Sequence, residues 1–174
     1  MITKRMQDAL NEQIKNEMYS SYLYLAMAAW FNDKNLNGFS HWMRMQAKEE
    51  DLHAMKFYDY VLDQGARVDL RAIDGPPMEF ASVAGVFEKT LEHEHKVTSM
   101  IHNLVSIARE EKDVATEIFL QWFVTEQVEE ESTADEILQQ IKLVKESGSG
   151  LLMIDRQLAT RVFTPPPAAG AAGA

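Results

Sequence analysis

Apolar residues return at steps of three and four through most of this chain, and its eight glycines and five prolines are clustered at a few places. That spacing runs one apolar stripe down each of several long helices, so each helix must bury its stripe against another and the fold class is all-α. The first helix is expected from about Thr3, as cap, to about Phe31, ended by Asn32 to Asn35 and Asn37-Gly38. A second starts at Leu36 or Gly38, reaches Gln64 and stops at Gly65. Ala66 to Phe80 contains Asp74-Gly75-Pro76-Pro77, cannot be helical throughout and is expected as an extended crossover. Ser82 caps a third helix to about Glu110, Glu111-Lys112-Asp113 leaves room for a tight turn, and a fourth helix runs to about Glu146. Ser147 to Gly150 is a break, and Leu151 to Phe163 reads as a short fifth helix with Leu151, Ile154, Leu158 and Val162 or Phe163 as its apolar side. Two short links and one long middle link describe a four-helix bundle in which helices two and three run parallel. Pro165-Pro166-Pro167 ends regular structure, and the Ala/Gly tail to Ala174 is expected to be disordered.

The 174 residues suit one domain, and 46% hydrophobic with 25% charged residues suits a packed core. The net charge of −10 argues against a nucleic-acid partner and favours cations. There is no cysteine, so thiolate metal ligation and thiol catalysis are excluded, and any metal must use oxygen and imidazole. The N-terminal residues lack the apolar core of a signal peptide and the apolar stretch Tyr22 to Phe31 is too short to span a bilayer, so a cytoplasmic protein with no membrane partner is expected.

Each inward stripe carries an acidic residue. Helix one presents Leu10, Ile14, Glu17, Ser21, Tyr24 and Ala28, and helix two presents Phe39, Trp42 or Met43, Gln46, Glu50, His53 and Phe57. Helix three presents Val83, Phe87, Thr90, Glu94, Val97 and Ile101; helix four presents Leu120, Val124, Gln127, Glu130 or Glu131, Ala134 and Leu138. Glu17, Glu50, Glu94 and Gln127 all lie about 20 Å along their helices at 1.5 Å per residue, so the bundle brings them level. Carboxylates gathered inside a core must be protonated or share cations. Bundles that hold two metal ions use one Glu from each of two helices and Glu-x-x-His from each of the other two. Glu17, Glu94 and Glu50-x-x-His53 supply three of those parts, and Gln127-x-x-Glu130 stands in for the fourth. One position then has an imidazole and the other only oxygens, which predicts a tight site and a looser one.

Glu126 and Glu129 flank Gln127 and Glu130, and Glu49 precedes Glu50, which gives a third cation position by spacing. Tyr24 lies two turns above Glu17 and is placed to hydrogen-bond a ligand. His41, His93, His95 and His102 fall off the stripes and are read as solvated; Glu92-x-x-His95 mimics the motif with its acid pointing elsewhere.

With Asn11-Glu12-Gln13, Glu17-Met18-Tyr19-Ser20-Ser21, Glu49-Glu50, His53, Glu94, Phe119-Leu120-Gln121-Trp122 and Glu126-Gln127, the chain resembles the bacterial non-haem ferritins over residues 1–163, as one ferritin-like di-iron domain with 164–174 outside it. The resemblance implies a homo-oligomeric cage of 24 subunits that oxidises iron(II) with dioxygen or hydrogen peroxide at a ferroxidase centre and stores ferric mineral inside. Carried over, Glu17, Glu50 and His53 hold the first iron with Glu50 bridging, Glu94 and Glu130 the second, and Gln127 serves as a nearby hydrogen-bonding group. Glu49, Glu126 and Glu129 match the third iron position, to which Glu130 also contributes. Tyr24 matches the tyrosine beside the centre, Trp122 the tryptophan near it, and Glu117 is a candidate for a channel lining. The apolar fifth helix suits an assembling subunit.

Haem-binding bacterioferritins carry Met after the bridging Glu and Glu-x-x-His in helix four; Asp51 and Gln127-x-x-Glu130 stand there instead, so no haem is expected. Rubrerythrins require a cysteine-rich iron module. A di-iron oxygenase would want a pocket at the metals and a second histidine, and a non-catalytic shell would have lost ligands; neither fits the residues as they stand.

Overall fold

The computed structural model describes residues 1–145 and 147–163, so the tail after Phe163 and the expected end of the fourth helix at Glu146 lie outside the described residues. Five helices follow in order: α1 (Lys4–Asp33), α2 (Asn37–Asp63), α3 (Val83–Glu110), α4 (Val114–Val144) and α5 (Gly148–Leu158). No strand occurs among the described residues.

Local chemistry sets the boundaries. Thr3, Ser82, Asp113 and Ser147 each accept a hydrogen bond from a backbone N–H of the first turn that follows, of Met6, Gly85, Thr116 and Gly150 respectively. Asn35, Lys112 and Lys145 turn the chain in the left-handed region, with φ of 57°, 56° and 50°, and α4 therefore ends at Val144. The N-terminus of α2 has no cap of its own. Asp155 of α5 supplies it, its Oδ1 accepting from the N–H of Gly38 at 2.7 Å and of Phe39 at 3.0 Å. A Cβ on Gly38 would stand 1.7 Å from the carbonyl oxygen of Asp155, so only glycine admits α5 there.

The long link runs the whole length of the bundle. At its start the Arg67 carbonyl accepts from the side chains of Gln7 and Asn11 near the beginning of α1. At its end Phe80 packs edge-on against Trp30 near the close of α1, centroids 5.9 Å apart. Since α1 and α2 are antiparallel across their short turn, α3 starts where α2 started and the two run parallel.

The fifth helix departs from expectation at both ends. Its first turn is made by Gly148-Ser149-Gly150, because Ser147 caps it and Gly150 tucks against Val144, where a Cβ would meet side-chain carbon at 2.5 Å. It closes at Leu158 rather than Phe163, where Thr160 Oγ1 donates to the Gln157 carbonyl at 2.7 Å. Ile154 and Leu158 are buried in this bundle's own core, while Leu152 and Met153 face outward and Val162 is exposed beyond the helix.

The stripes are buried in two apolar clusters, with Phe123 taking the inward place on α4 expected of Val124, which is only partly covered. One gathers Phe31, Phe39, Trp42, Phe87, Leu138 and Leu158 at one end; the other gathers Met6, Leu10, Phe57, Ile101, Leu120 and Phe123 at the opposite end. Between them lies a polar layer.

Candidate metal centre

That layer consists of Glu17 from α1, Glu50 and His53 from α2, Glu94 from α3, and Gln127 and Glu130 from α4, all buried. An oxygen or nitrogen of each of Glu17, Glu50 and His53 lies within 4.8 Å of the others. His53 Nδ1 is 3.3 Å from Glu50 Oε2, the distance that one helical turn between positions 50 and 53 provides. Gln13, one turn before Glu17, donates to its Oε1 at 2.8 Å, whereas Glu17 Oε2 is buried with no hydrogen-bond partner.

Around Glu94 the donors are plentiful. The Tyr24 hydroxyl donates to Oε1 and Gln127 Nε2 to Oε2 at 3.2 Å. On α4, Glu130 is the acid that turns inward, accepting from Gln46 Nε2, while Glu131 turns to Thr98 and His95 outside. The side chain of His53 is packed edge-on by Trp122 and Phe123, centroids 5.4 Å and 6.0 Å away.

Burial governs the protonation of this layer. It pushes the carboxyls of Glu17, Glu50 and Glu130 well above the usual range, reinforced by Glu50 beside Glu17 and by Glu94 beside Glu50 and Glu130. Glu94 is raised less, since Tyr24 and Gln127 hydrogen-bond its charged form. Tyr24 is itself pushed well above its ordinary value by burial and by Glu94. A layer of acids that repel one another and carry an oxygen without a donor is matched by a multivalent cation, to which carboxylate and imidazole are suitable ligands.

The outer acids are arranged differently. Glu126 joins His53 and Glu130 in a second group of three ligand atoms within 4.8 Å. Among the described residues no such group takes in Glu49, Glu94 or Glu129. Glu49 is bound instead by Arg161, and Glu129 is exposed on α4. Glu117 is bound by Arg109 Nε at 2.7 Å near the start of α4.

Two of the histidines expected in solvent are partly covered. His93 packs between Tyr19 and Tyr24, its Nε2 lies 2.8 Å from Ser20 Oγ, and burial pulls its pKa down to about 4. His41 Nε2 meets the Arg161 carbonyl at 2.8 Å. Gln13 and Gln46 are contributors to which the stripes assign no role: each is buried one turn before a ligand Glu, Gln13 donating to Glu17 ahead of it on α1 and Gln46 donating across the bundle to Glu130. Arg161 has no such signal, being 112 positions from Glu49.

Four long helices around a buried layer of carboxylates and one histidine define a bundle of the ferritin-like class, whose di-metal members build their sites from such a layer. The family described as Ferritin-like domain matches residues 7–144. The chain is 44% identical over 161 residues to a bacterial non-heme ferritin of Bacteroides fragilis, covering 92% of this chain and all of that protein. It is 37% identical over 163 residues to a bacterial non-heme ferritin of Staphylococcus aureus, covering 94% and 98%. Among solved structures, a ferritin of Archaeoglobus fulgidus engineered into a closed form superposes with a TM-score of 0.93 at 49% identity, covering 94% of this chain and 100% of that one. The chain belongs to the ferritin family, and iron storage is the function that goes with it.

Proposed function

We propose that this chain is a ferroxidase subunit: iron(II) is oxidised at the buried layer and laid down as ferric mineral inside a homo-oligomeric cage of 24 subunits in the cytoplasm. Glu17, Glu50 and His53 hold the first iron, Glu50 bridges, and Glu94 and Glu130 hold the second with Gln127 as hydrogen-bonding neighbour. Glu49, Glu126 and Glu129 hold a third. The single observation that carries this reading is the buried Glu17 carboxylate, one oxygen of which lies within 4.8 Å of ligand atoms of Glu50 and His53 while its Oε2 has no hydrogen-bond partner. An uncompensated carboxylate oxygen in a core costs several kcal/mol, and a shared cation removes that cost.

Each iron(II) gives up one electron, and two adjacent ions deliver the two that reduce dioxygen, with two protons, to hydrogen peroxide. Hard carboxylate oxygens favour the iron(III) product over iron(II). Tyr24 keeps Glu94 oriented through its hydroxyl, and Trp122 lies against His53 at the edge of the layer. No haem is proposed. The unit is residues 1–163, with the remaining tail outside it.

The test is stopped-flow absorbance on metal-free protein given two iron(II) per chain in air, with sizing of the product. A fast transient followed by a ferric band on a particle of several hundred kilodaltons is expected. Replacing Glu50 and His53 by Ala should abolish the fast phase and leave the particle assembled; an unchanged rate in that variant removes the site assignment.

A further inference from the structure

The third cation position has a feature that the inner ones lack. Arg161 lies beyond the end of α5, yet its Nη2 donates to Glu49 Oε2, and its Nη1 donates to Gln46 Oε1 at 2.7 Å and to the Trp42 carbonyl at 3.4 Å. The guanidinium carbon stands 4.4 Å from the centre of the Trp42 ring. The two side chains of this ion pair are largely covered, 19% and 21% exposed. A guanidinium is planar and permanently charged, so the pair cannot be relieved by loss of a proton from the arginine. A cation is thus already seated on a proposed ligand.

The same group reaches the inner layer at one remove. Because Gln46 Oε1 accepts from Arg161, its Nε2 must face Glu130, which is where it donates. One guanidinium therefore holds Glu49 directly and orients Glu130 through Gln46. The segment that delivers it is laid along α2 by the Asp155 cap on Gly38 and Phe39 and by the meeting of His41 with the Arg161 carbonyl.

We propose that Arg161 is a tethered counter-cation of the third position: it neutralises Glu49 while no metal ion is there, and a cation that takes Glu49 displaces it and frees residues 159–163 from α2. The inference rests on the reading of Glu49 and Glu126 as a cation position. Two cations on one partly buried carboxylate repel, and the arginine, unlike a lysine or histidine, has no neutral form to adopt. Glu126, whose carboxylate lies within 4.8 Å of ligand atoms of His53 and Glu130, adds a second negative charge to the position, so it retains an attraction for a multivalent ion that one guanidinium does not exhaust. The ion pair makes the third position exchangeable, since filling it requires breaking contacts made within the protein.

The experiment is calorimetric titration of zinc(II), which has no redox chemistry, into metal-free assembled protein, comparing wild type with Arg161→Gln and Arg161→Lys, together with hydrogen exchange of residues 159–163 at each equivalent. Removing the charge should tighten the third equivalent about tenfold, the scale on which neighbours of a metal position tune affinity, and leave the first equivalent as it was. Lysine, which keeps the charge without the fork or the ring stacking, should fall between. In wild type, exchange at 159–163 should accelerate with the third equivalent and not with the first. An unchanged or weaker third equivalent in Arg161→Gln, or exchange indifferent to zinc, overturns the proposal. If a variant fails to assemble, the wild-type exchange measurement decides alone. First and second equivalents that bind, with no third in wild type or Arg161→Gln, refute the third position itself; no binding at all refutes the ligand assignment of the whole layer.

Discussion

Glu49 and Glu50 are neighbours in sequence and belong to different electrostatic worlds. One residue of α2 turns the chain by about a hundred degrees, which carries Glu50 into the bundle and leaves Glu49 at its rim. Glu49 is met by the Arg161 guanidinium, and its pKa, raised by burial, is held back by that charge. Glu50 meets Glu17, Glu94 and His53, and nothing permanently cationic stands beside it among the residues that shift it. At the rim the protein balances its own charge; in the centre it leaves the balance to a ligand. Stability argues for the first arrangement, and binding of a multivalent ion argues for the second.

Deleting each carboxylate in turn separates the two positions. Glu50→Ala should lower the initial rate of iron(II) oxidation by about a hundredfold or more, at or beyond the upper range for loss of a group that only supports a ligand, and Glu49→Ala should leave the initial rate within about a few-fold of wild type. Stopped-flow absorbance at two iron(II) per chain reads both. Equal losses would mean that inner and outer positions act as one.

His93 tests whether the flank of the centre is as intolerant of charge as the centre is rich in it. It lies beside Glu94 in sequence but faces Ser20 and the tyrosines, and its pKa in the folded protein is about 4 against an ordinary 6.5. The folded state therefore binds fewer protons than the unfolded one between those values, so this contribution is fully present above pH 6.5 and is lost as pH falls through about 4. The size is about 3 kcal/mol for a shift of that extent. His93→Gln should lack this loss, while the buried acids act alike in both proteins and cancel in the difference. Denaturant unfolding of metal-free protein at pH 7, 5.5 and 4 measures it; parallel pH profiles would place His93 in solvent.

A smaller effect of opposite sign belongs to Glu17. Its carboxyl is raised by burial and by Glu50, so ionising it costs folding energy as pH rises above the unfolded value. Glu17→Gln should stabilise metal-free protein at pH 7 and should gain nothing at pH 4, where the acid is protonated in the fold. The same substitution should weaken binding at the first metal position, so stability without metal and affinity for metal move apart. A variant less stable than wild type at pH 7 would show that Glu17 is already balanced.

What the chain reveals unaided follows from the range of the forces involved. The stripe positions Glu17, Glu50, His53, Glu94 and Gln127 are legible because helical periodicity is local and four helices of similar length bring equal heights together. The stripe alone leaves Glu130 and Glu131 equivalent, since both lie within one residue of it, and only the spacing from Gln127 and the family resemblance favour Glu130; in the fold Gln46 receives Glu130 inside and Thr98 receives Glu131 outside. The start of α5 is misplaced because Gly-Ser-Gly reads as a breaker, while its helical form depends on a cap from Ser147 and on a close fit against Val144. Arg161 is invisible for a stronger reason: only the complete fold brings the segment after α5 back to α2.

The smallest expected effect concerns the outermost acid. Glu129 is exposed on α4 and belongs to no group of three ligand atoms among the described residues, although the family resemblance places it with Glu49 and Glu126. An exposed carboxylate in high dielectric gains little from its neighbours, so Glu129→Gln should change the stability of metal-free protein by no more than about 0.5 kcal/mol. Its effect on the third zinc(II) equivalent distinguishes two pictures of the rim. If Glu129 swings in only when a cation arrives, the third equivalent weakens in Glu129→Gln while the metal-free protein is indifferent to the change. If Glu126 with His53 and Glu130 forms the whole position, the third equivalent is unaltered and Glu129 is simply part of the solvated face of α4.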